Sequence, residues 1–244
     1  MKSFNHFMTI PLAHRGLHNQ QLDENSLGAF KAAIEHGYGI ELDVHPLKDG
    51  GLVVVHDTNL KRVTGVDVNV ETLSEEDLKK YPLLLSKEKI PTLKEVFDLV
   101  AGKFPILVEL KVEGKFNPEL PSRVLKLLEN YPKTDNIAIQ SFNPYAMKYL
   151  KEKDAPYPLG QLVSNKLDGQ SKFVCWLFRT LNVLKISRAE FIAFDIKYLP
   201  SRPVKRYRRK GYPILTWTID DEEKLLRARK YADNIIFETV NIDK

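Results

Sequence analysis

Short β-branched runs alternate with segments of helical period along the chain. The pattern predicts strands over residues 9–13, 39–44, 52–56, 106–111, 137–141, 159–163, 191–196, 214–219 and 234–238. Helical patterns fall between them, over residues 26–36, 92–100, 121–130 and 221–231. In the first of these, Leu27, Phe30, Ala33 and Ile34 share one face. Asn25 or Ser26 can cap its start and Gly37 can end it.

Strand and helix alternating over this length point to a parallel α/β fold. Nine strands is one too many for a closed barrel of eight. The tight turn Lys48-Asp49-Gly50-Gly51 resolves the surplus. A connection that short makes an antiparallel hairpin, because parallel pairing needs a crossover of about a dozen residues or more. Residues 52–56 then form an arm returning over the barrel mouth. Residues 57–90, polar and without a strong period, follow as an insertion. The expected architecture is a (β/α)8 TIM barrel with this small insertion after the second strand, as one domain over residues 1–244. An open doubly wound sheet is the alternative, but no Gly-rich phosphate loop follows the first strand.

Composition adds exclusions. The 244 residues are 43% hydrophobic and 28% charged, as in ordinary globular chains. No apolar run reaches the roughly 18 residues of a membrane span, and residues 1–12 lack the apolar core of a signal peptide. Cys175 is the sole cysteine, which excludes an internal disulfide and a cysteine-based zinc cluster. The expected location is the cytoplasm. Net charge is +5, yet residues 202–210 alone carry six positive charges, and the rest of the chain sits at −1. Neither interleaved stacking aromatics nor a nucleic-acid-reading motif accompanies that basic stretch, so no nucleic-acid partner is expected.

Residues two apart on a strand share a face. Glu41 and Asp43 therefore point one way, and Ile40, Leu42 and Val44 the other, toward covering helices. On the fourth strand Glu109 and Lys111 point inward while Val108 and Leu110 point outward. Three carboxylates aimed into one interior need a cation to offset them. An arginine or lysine for each is the structural alternative. Oxygen-only ligands imply one hard divalent ion, Mg2+ or Ca2+.

His14 and His56 end strands facing the same mouth and can serve as a general acid and base near neutral pH. His36 precedes Gly37 and reads as a helix-end cap. His6 lies in a loose N-terminus, and His18 and His45 flank the site without an assigned role. With a divalent ion, Arg15 and Lys111 set against three carboxylates, the site nets about +1, which matches a phosphodiester monoanion. No serine or cysteine stands in a nucleophile elbow, so water or a substrate hydroxyl is the expected nucleophile.

These residues belong to a longer ordered set. It runs Ala13-His14-Arg15-Gly16, Glu24-Asn25-Ser26 with Ala29-Phe30, and Glu41-Leu42-Asp43-Val44 with Lys48-Asp49-Gly50. It continues with Val55-His56-Asp57, Leu60, Arg62, Thr64 and Gly65, then Pro91-Thr92-Leu93, Val108-Glu109-Leu110-Lys111, Ser141-Phe142 and Trp217-Thr218. In this order the set resembles the glycerophosphodiester phosphodiesterases. The resemblance implies a metal-dependent barrel that cleaves glycerophosphodiesters to glycerol 3-phosphate and an alcohol. It implies Glu41, Asp43 and Glu109 as metal ligands, His14 and His56 as the acid/base pair, Arg15 and Lys111 on the phosphate, and Trp217 lining the glycerol pocket. Asp23, Asp220 and Glu238 depart from the family's usual pattern. A lyase that stops at a cyclic phosphate and a non-catalytic phosphodiester-binding barrel are the rival functions.

Two surface features bear on partners. Phe173, Trp176, Leu177, Leu181 and Leu184 make residues 173–186 more apolar than one helix face needs. The choice lies between a core-covering helix and a lipid-facing or dimer patch. Residues 202–210 read first as a solvated helix. Together the two could meet an anionic membrane or a polyglycerophosphate chain.

Overall fold

Eight parallel strands close into a barrel in the computed structural model, which describes residues 7–112, 114–129, 131 and 134–242. His6 and the predicted helix end at Asn130 lie outside the described residues. The strands are β1 (Leu12–His14), β2 (Gly39–Pro46), β3 (Leu52–Val54), β4 (Ile106–Leu110), β5 (Ile137–Ser141), β6 (Leu159–Val163), β7 (Phe191–Asp195), β8 (Ile214–Ile219) and β9 (Asn234–Phe237). Their order around the sheet is β1-β9-β8-β7-β6-β5-β4-β2, and β1 pairs with β2 to shut the ring. β3 is the ninth strand. It pairs antiparallel with β2 and stands outside the parallel ring, as the tight turn requires.

The inward and outward parity matches the sequence pattern. Ile40, Leu42, Val44, Val108 and Leu110 pack in the layer beneath the helices, with Phe30, Val96, Phe97 and Val124. Leu12, Leu107, Ala138, Leu162, Phe191 and Leu215 fill the interior. Gly160 permits this filling. A Cβ there would stand 2.1 Å from the Phe191 ring.

α1 (Leu27–Glu35) starts where Ser26 caps it, the hydroxyl accepting from Ala29 N at 3.1 Å, and is followed by Gly37 at φ +82°. After β3 come α2 (Lys61–Thr64) and two short 3-10 turns. The insertion is polar in composition but has its own small core, in which Leu60, Val63, Val70, Leu73, Leu78 and Leu83 pack against Leu47, Val53 and Val55 of the hairpin. α3 (Leu93–Val100), α4 (Glu119–Leu128), α5 (Pro144–Glu152), α6 (Lys172–Arg179), α7 (Leu184–Ser187), α8 (Arg202–Arg208) and α9 (Glu222–Tyr231) complete the outer layer. Among the described residues no helix is long and apolar enough to cross a membrane.

Candidate active site

The carboxylates converge. β2 supplies Glu41 and Asp43 and β4 supplies Glu109, with Asp43 and Glu109 in register. One oxygen from each of the three lies within 4.8 Å of the others, and all three side chains are buried. Asp43 is the best compensated. Lys111 Nζ lies 2.8 Å from its Oδ1, Arg15 Nε 3.2 Å from its Oδ2, and Asn25 Nδ2 donates to Oδ2 at 2.9 Å. Burial opposes its charge, but Lys111, Arg15 and His56 outweigh burial and hold Asp43 well below the usual carboxylate range. Lys111 Nζ also donates to Glu109 Oε1 at 2.6 Å. Burial works against the ammonium as well, and Glu109 and Asp43 together raise it above its ordinary value.

Glu41 is different. Among the described residues its oxygens receive only the Arg15 backbone N–H at 3.3 Å and the Gln140 amide at 3.5 Å. Burial, reinforced by the charges of Asp43 and Glu109, pushes its carboxyl well above the usual range. Among the described residues Gln140 Oε1 is buried beside it without a hydrogen-bond partner. A cluster of hard oxygen donors with one under-compensated carboxylate and an orphaned amide oxygen fits a divalent cation, which Glu41, Asp43 and Glu109 could hold.

The turn after β1 builds the opposite wall. Arg15 and Asn25 both take positive φ, at 55° and 54°, and Asn25 N donates to Arg15 O at 2.9 Å. Gly16, at φ +82°, lies where a Cβ would stand 2.7 Å from the Ala29 backbone, so only glycine fits. His14 and Glu41 are register partners, and Val55 N donates to Asp43 O at 3.0 Å, which brings His56 close enough to Asp43 for its charge to act there. Each imidazole faces an acid through Nδ1. His14 Nδ1 is 2.9 Å from Glu238 Oε2, and His56 Nδ1 is 2.6 Å from Asp57 Oδ1. A carboxylate only accepts, so Nδ1 carries the proton and Nε2 is left to exchange one.

The model of the glycerophosphoryl diester phosphodiesterase family matches residues 14–239. The chain belongs to this family. A glycerophosphodiester phosphodiesterase of Caldanaerobacter subterraneus subsp. tengcongensis is 31% identical over 238 residues, which is 93% of each chain. The crystal structure of a glycerophosphodiester phosphodiesterase from Thermotoga maritima shares 31% identity, with a TM-score of 0.73 over 93% of this chain and 94% of that one. A phosphodiesterase of Oleispira antarctica, solved with the product sn-glycerol-3-phosphate, has a TM-score of 0.80 over 95% and 94% of the two chains. At 23% identity that likeness concerns the fold.

Within this family frame the departures acquire partners. Glu238 receives His14 and also His18, whose Nε2 is 3.3 Å from Oε1. The hydrogen bonds from His14 and His18 hold Glu238 well below the usual carboxylate range. Asp23 accepts from Ser86 N at 2.7 Å, Ser86 Oγ at 2.8 Å and Leu85 N at 3.2 Å, tying the insertion to the turn after β1. Asp220 pairs with Lys224 on the surface.

The remaining residues sort as follows. His36 caps α1, its Nδ1 2.8 Å from Ala32 O. His45 is fully buried in β2, and its Nε2 lies 3.1 Å from the carbonyl of His56, so it supports the arm. Trp217 donates Nε1–H to Ala193 O at 3.0 Å and meets Phe142 edge-on at 5.7 Å. Glu24 joins Arg15 to Arg62, and Arg62 reaches on to Asp57 at 2.6 Å. A single polar chain therefore runs from His56 through Asp57, Arg62 and Glu24 to Arg15 and Asp43. Sequence pattern alone assigned no site role to Gln140, Asp57 or Arg62, and read Asn25 only as a possible helix cap. Gln140 had a readable signal, since it shares inward parity with Ala138.

Proposed function

We propose that the protein hydrolyses glycerophosphodiesters to glycerol 3-phosphate and an alcohol. The observation that carries this is the pairing of three buried, converging carboxylates with two imidazoles that each present Nε2. Glu41, Asp43 and Glu109 would hold one divalent ion, Mg2+ or Ca2+, which when bound supplies Lewis-acid polarisation of the phosphoryl oxygens. Arg15 and Lys111, already drawn into the site by Asp43, bind the phosphate.

Nε2 of one histidine takes the proton of the glycerol 2-hydroxyl. That oxygen attacks phosphorus, forming a cyclic phosphate, and Nε2 of the other histidine protonates the departing alcohol. Water then opens the ring, with the histidines in exchanged roles. Glu238 and Asp57 fix the tautomers, as the orienting carboxylate of a triad does. Trp217, held by its bond to Ala193 O, lines the glycerol side.

Glycerophosphocholine incubated with each ion and followed by phosphorus NMR tests this reading. It requires glycerol 3-phosphate as the end product and loss of turnover with chelator. A cyclic phosphate that accumulates without opening assigns the chain to the lyase alternative, and ligand binding without turnover assigns it to a non-catalytic barrel.

A further inference from the structure

Helix α6 sits on the rim of the barrel mouth. Through Val174, Leu177 and Phe178 it roofs a cavity of about 790 Å3 that also reaches Phe142, the edge-on neighbour of Trp217. Within α6 only Phe178 is fully buried, so the helix leaves one face without a cover. Phe173 and Trp176, three apart on that face, are 65% and 43% exposed and stack at 5.8 Å. Lys172 and Arg179, both exposed, stand at the two ends of the helix. α8 is tied to the chain just beyond α6, where Tyr207 Oη donates to Leu181 O at 3.5 Å. It adds the exposed Arg202, Lys205 and Arg206.

The charge on these helices is uncompensated. α3, α4, α5 and α9 pair cations with acids four residues away, as in Lys94–Asp98, Arg123–Glu119, Lys148–Glu152 and Arg227–Glu223. α6, α7 and α8 contain no acid. Residues 166–210 hold twelve lysines and arginines against three acids, while the rest of the chain is net negative. Among the described residues the ion pairs of this segment are Lys166–Asp168, Lys151–Glu190 and Arg208–Asp233. They leave Lys172, Arg179, Lys185, Arg202, Lys205 and Arg206 without an acid.

We propose that this face docks on an anionic lipid bilayer. Phe173 and Trp176 enter the boundary between headgroups and acyl chains, and the cations of α6 and α8 meet lipid phosphates. Exposed aromatic rings flanked by lysine and arginine match that interface, and the unpaired positive charge complements an anionic surface. A second copy of the chain would set like charges against each other. A soluble polyanion offers nothing apolar to the ring pair. Docking brings the barrel mouth close to the bilayer. The proposal concerns the surface and holds whatever the chemistry at the mouth.

The test is co-sedimentation of the full chain, at physiological salt, with vesicles of phosphatidylcholine alone and of phosphatidylcholine with about one third phosphatidylglycerol. Binding to the anionic vesicles should exceed binding to the neutral ones at least about tenfold. Phe173→Ser and Trp176→Ser should each weaken it about three- to tenfold. Lys205→Glu combined with Arg206→Glu should weaken it at least about tenfold. All four positions are exposed, so a Tm at the native value shows that each variant has folded. Fluorescence separates insertion from charge attraction. Trp176 and Trp217 are the only tryptophans, and the native emission should move to the blue on anionic vesicles while that of Trp176→Ser stays put. No binding to anionic vesicles, or equal binding to both kinds, overturns the proposal. So does an affinity and a blue shift that the serine variants leave unchanged, which marks a plain polyanion site.

Discussion

Glu238 Oε2 lies 2.9 Å from His14 Nδ1, joining the residue after β9 to the last residue of β1 across the barrel closure. The pair follows from closure itself, since β1 and β9 are hydrogen-bonded neighbours. The same carboxylate also holds His18. Glu238→Gln keeps the shape but can present an N–H to Nδ1, which favours the wrong tautomer. kcat should fall by about tenfold or more, less than the roughly 10²–10⁴-fold expected from removing an acid/base group outright. Steady-state kinetics on glycerophosphocholine decide it, and an unchanged kcat rejects the positioning role.

The pair also affects stability. The hydrogen bonds from His14 and His18 depress Glu238 in the folded state relative to the unfolded chain. A depressed acid contributes stability above its unfolded pKa and loses it as pH falls through the folded value. The Tm difference between the native protein and Glu238→Gln should therefore be full above the ordinary glutamate range and shrink on acidification below it. A difference that is constant down to acid pH contradicts the assignment.

Arg62 is half-exposed, yet it bridges Glu24 at 2.7 Å and Asp57 at 2.6 Å, and through them steadies Arg15 and His56. Arg62→Ala should cost little stability, about 1 kcal/mol or less, because exposed pairs are worth little. It should lower kcat/KM about three- to tenfold by loosening two site residues at once. Denaturant melts and kinetics on the same preparation separate the two effects. A large stability loss with normal kcat/KM would make Arg62 purely structural.

Glu41 gives a metal-linked prediction with a definite sign. Burial and the neighbouring charges of Asp43 and Glu109 raise its folded pKa. Above the ordinary glutamate range the ion-free folded state retains a proton that the unfolded chain has released. Ion-free stability therefore falls as pH rises through the raised value. A divalent ion at 100 times its Kd should restore about 2.7 kcal/mol, and Glu41→Gln should raise the ion-free Tm by about 2–4 °C per kcal/mol relieved. Differential scanning calorimetry with and without ion checks both. An ion-free Tm that rises with pH through that window refutes it.

Much of the barrel was legible because strand parity is strict. Predicted and observed strands over 137–141, 159–163 and 214–219 coincide, and Glu41, Asp43 and Glu109 point inward as alternation requires. The misses have separate physical causes. β3 ends at Val54, two residues short of the predicted arm, although Val55 N still donates to Asp43 O of β2. The insertion looked structureless because its apolar residues pack in short 3-10 turns with no long period, although they form a core of their own. The bond between His14 and Glu238 spans 224 residues, and no local pattern encodes it. Residues 173–186 showed an apolar face, but sequence cannot say that the face roofs a cavity. Of the basic stretch 202–210, Arg202–Arg208 form a helix anchored by buried Val204, and Arg209 and Lys210 follow it in a turn.

A calorimetric titration of chelator-stripped protein with Mg2+ and with Ca2+, run beside Glu41→Gln, is the most direct probe of the carboxylate cluster. One equivalent of ion should bind the native protein and restore glycerophosphocholine hydrolysis, and the variant should lose both. Full hydrolysis by ion-free protein, or ion binding that Glu41→Gln leaves unchanged, would contradict a metal centre at Glu41, Asp43 and Glu109.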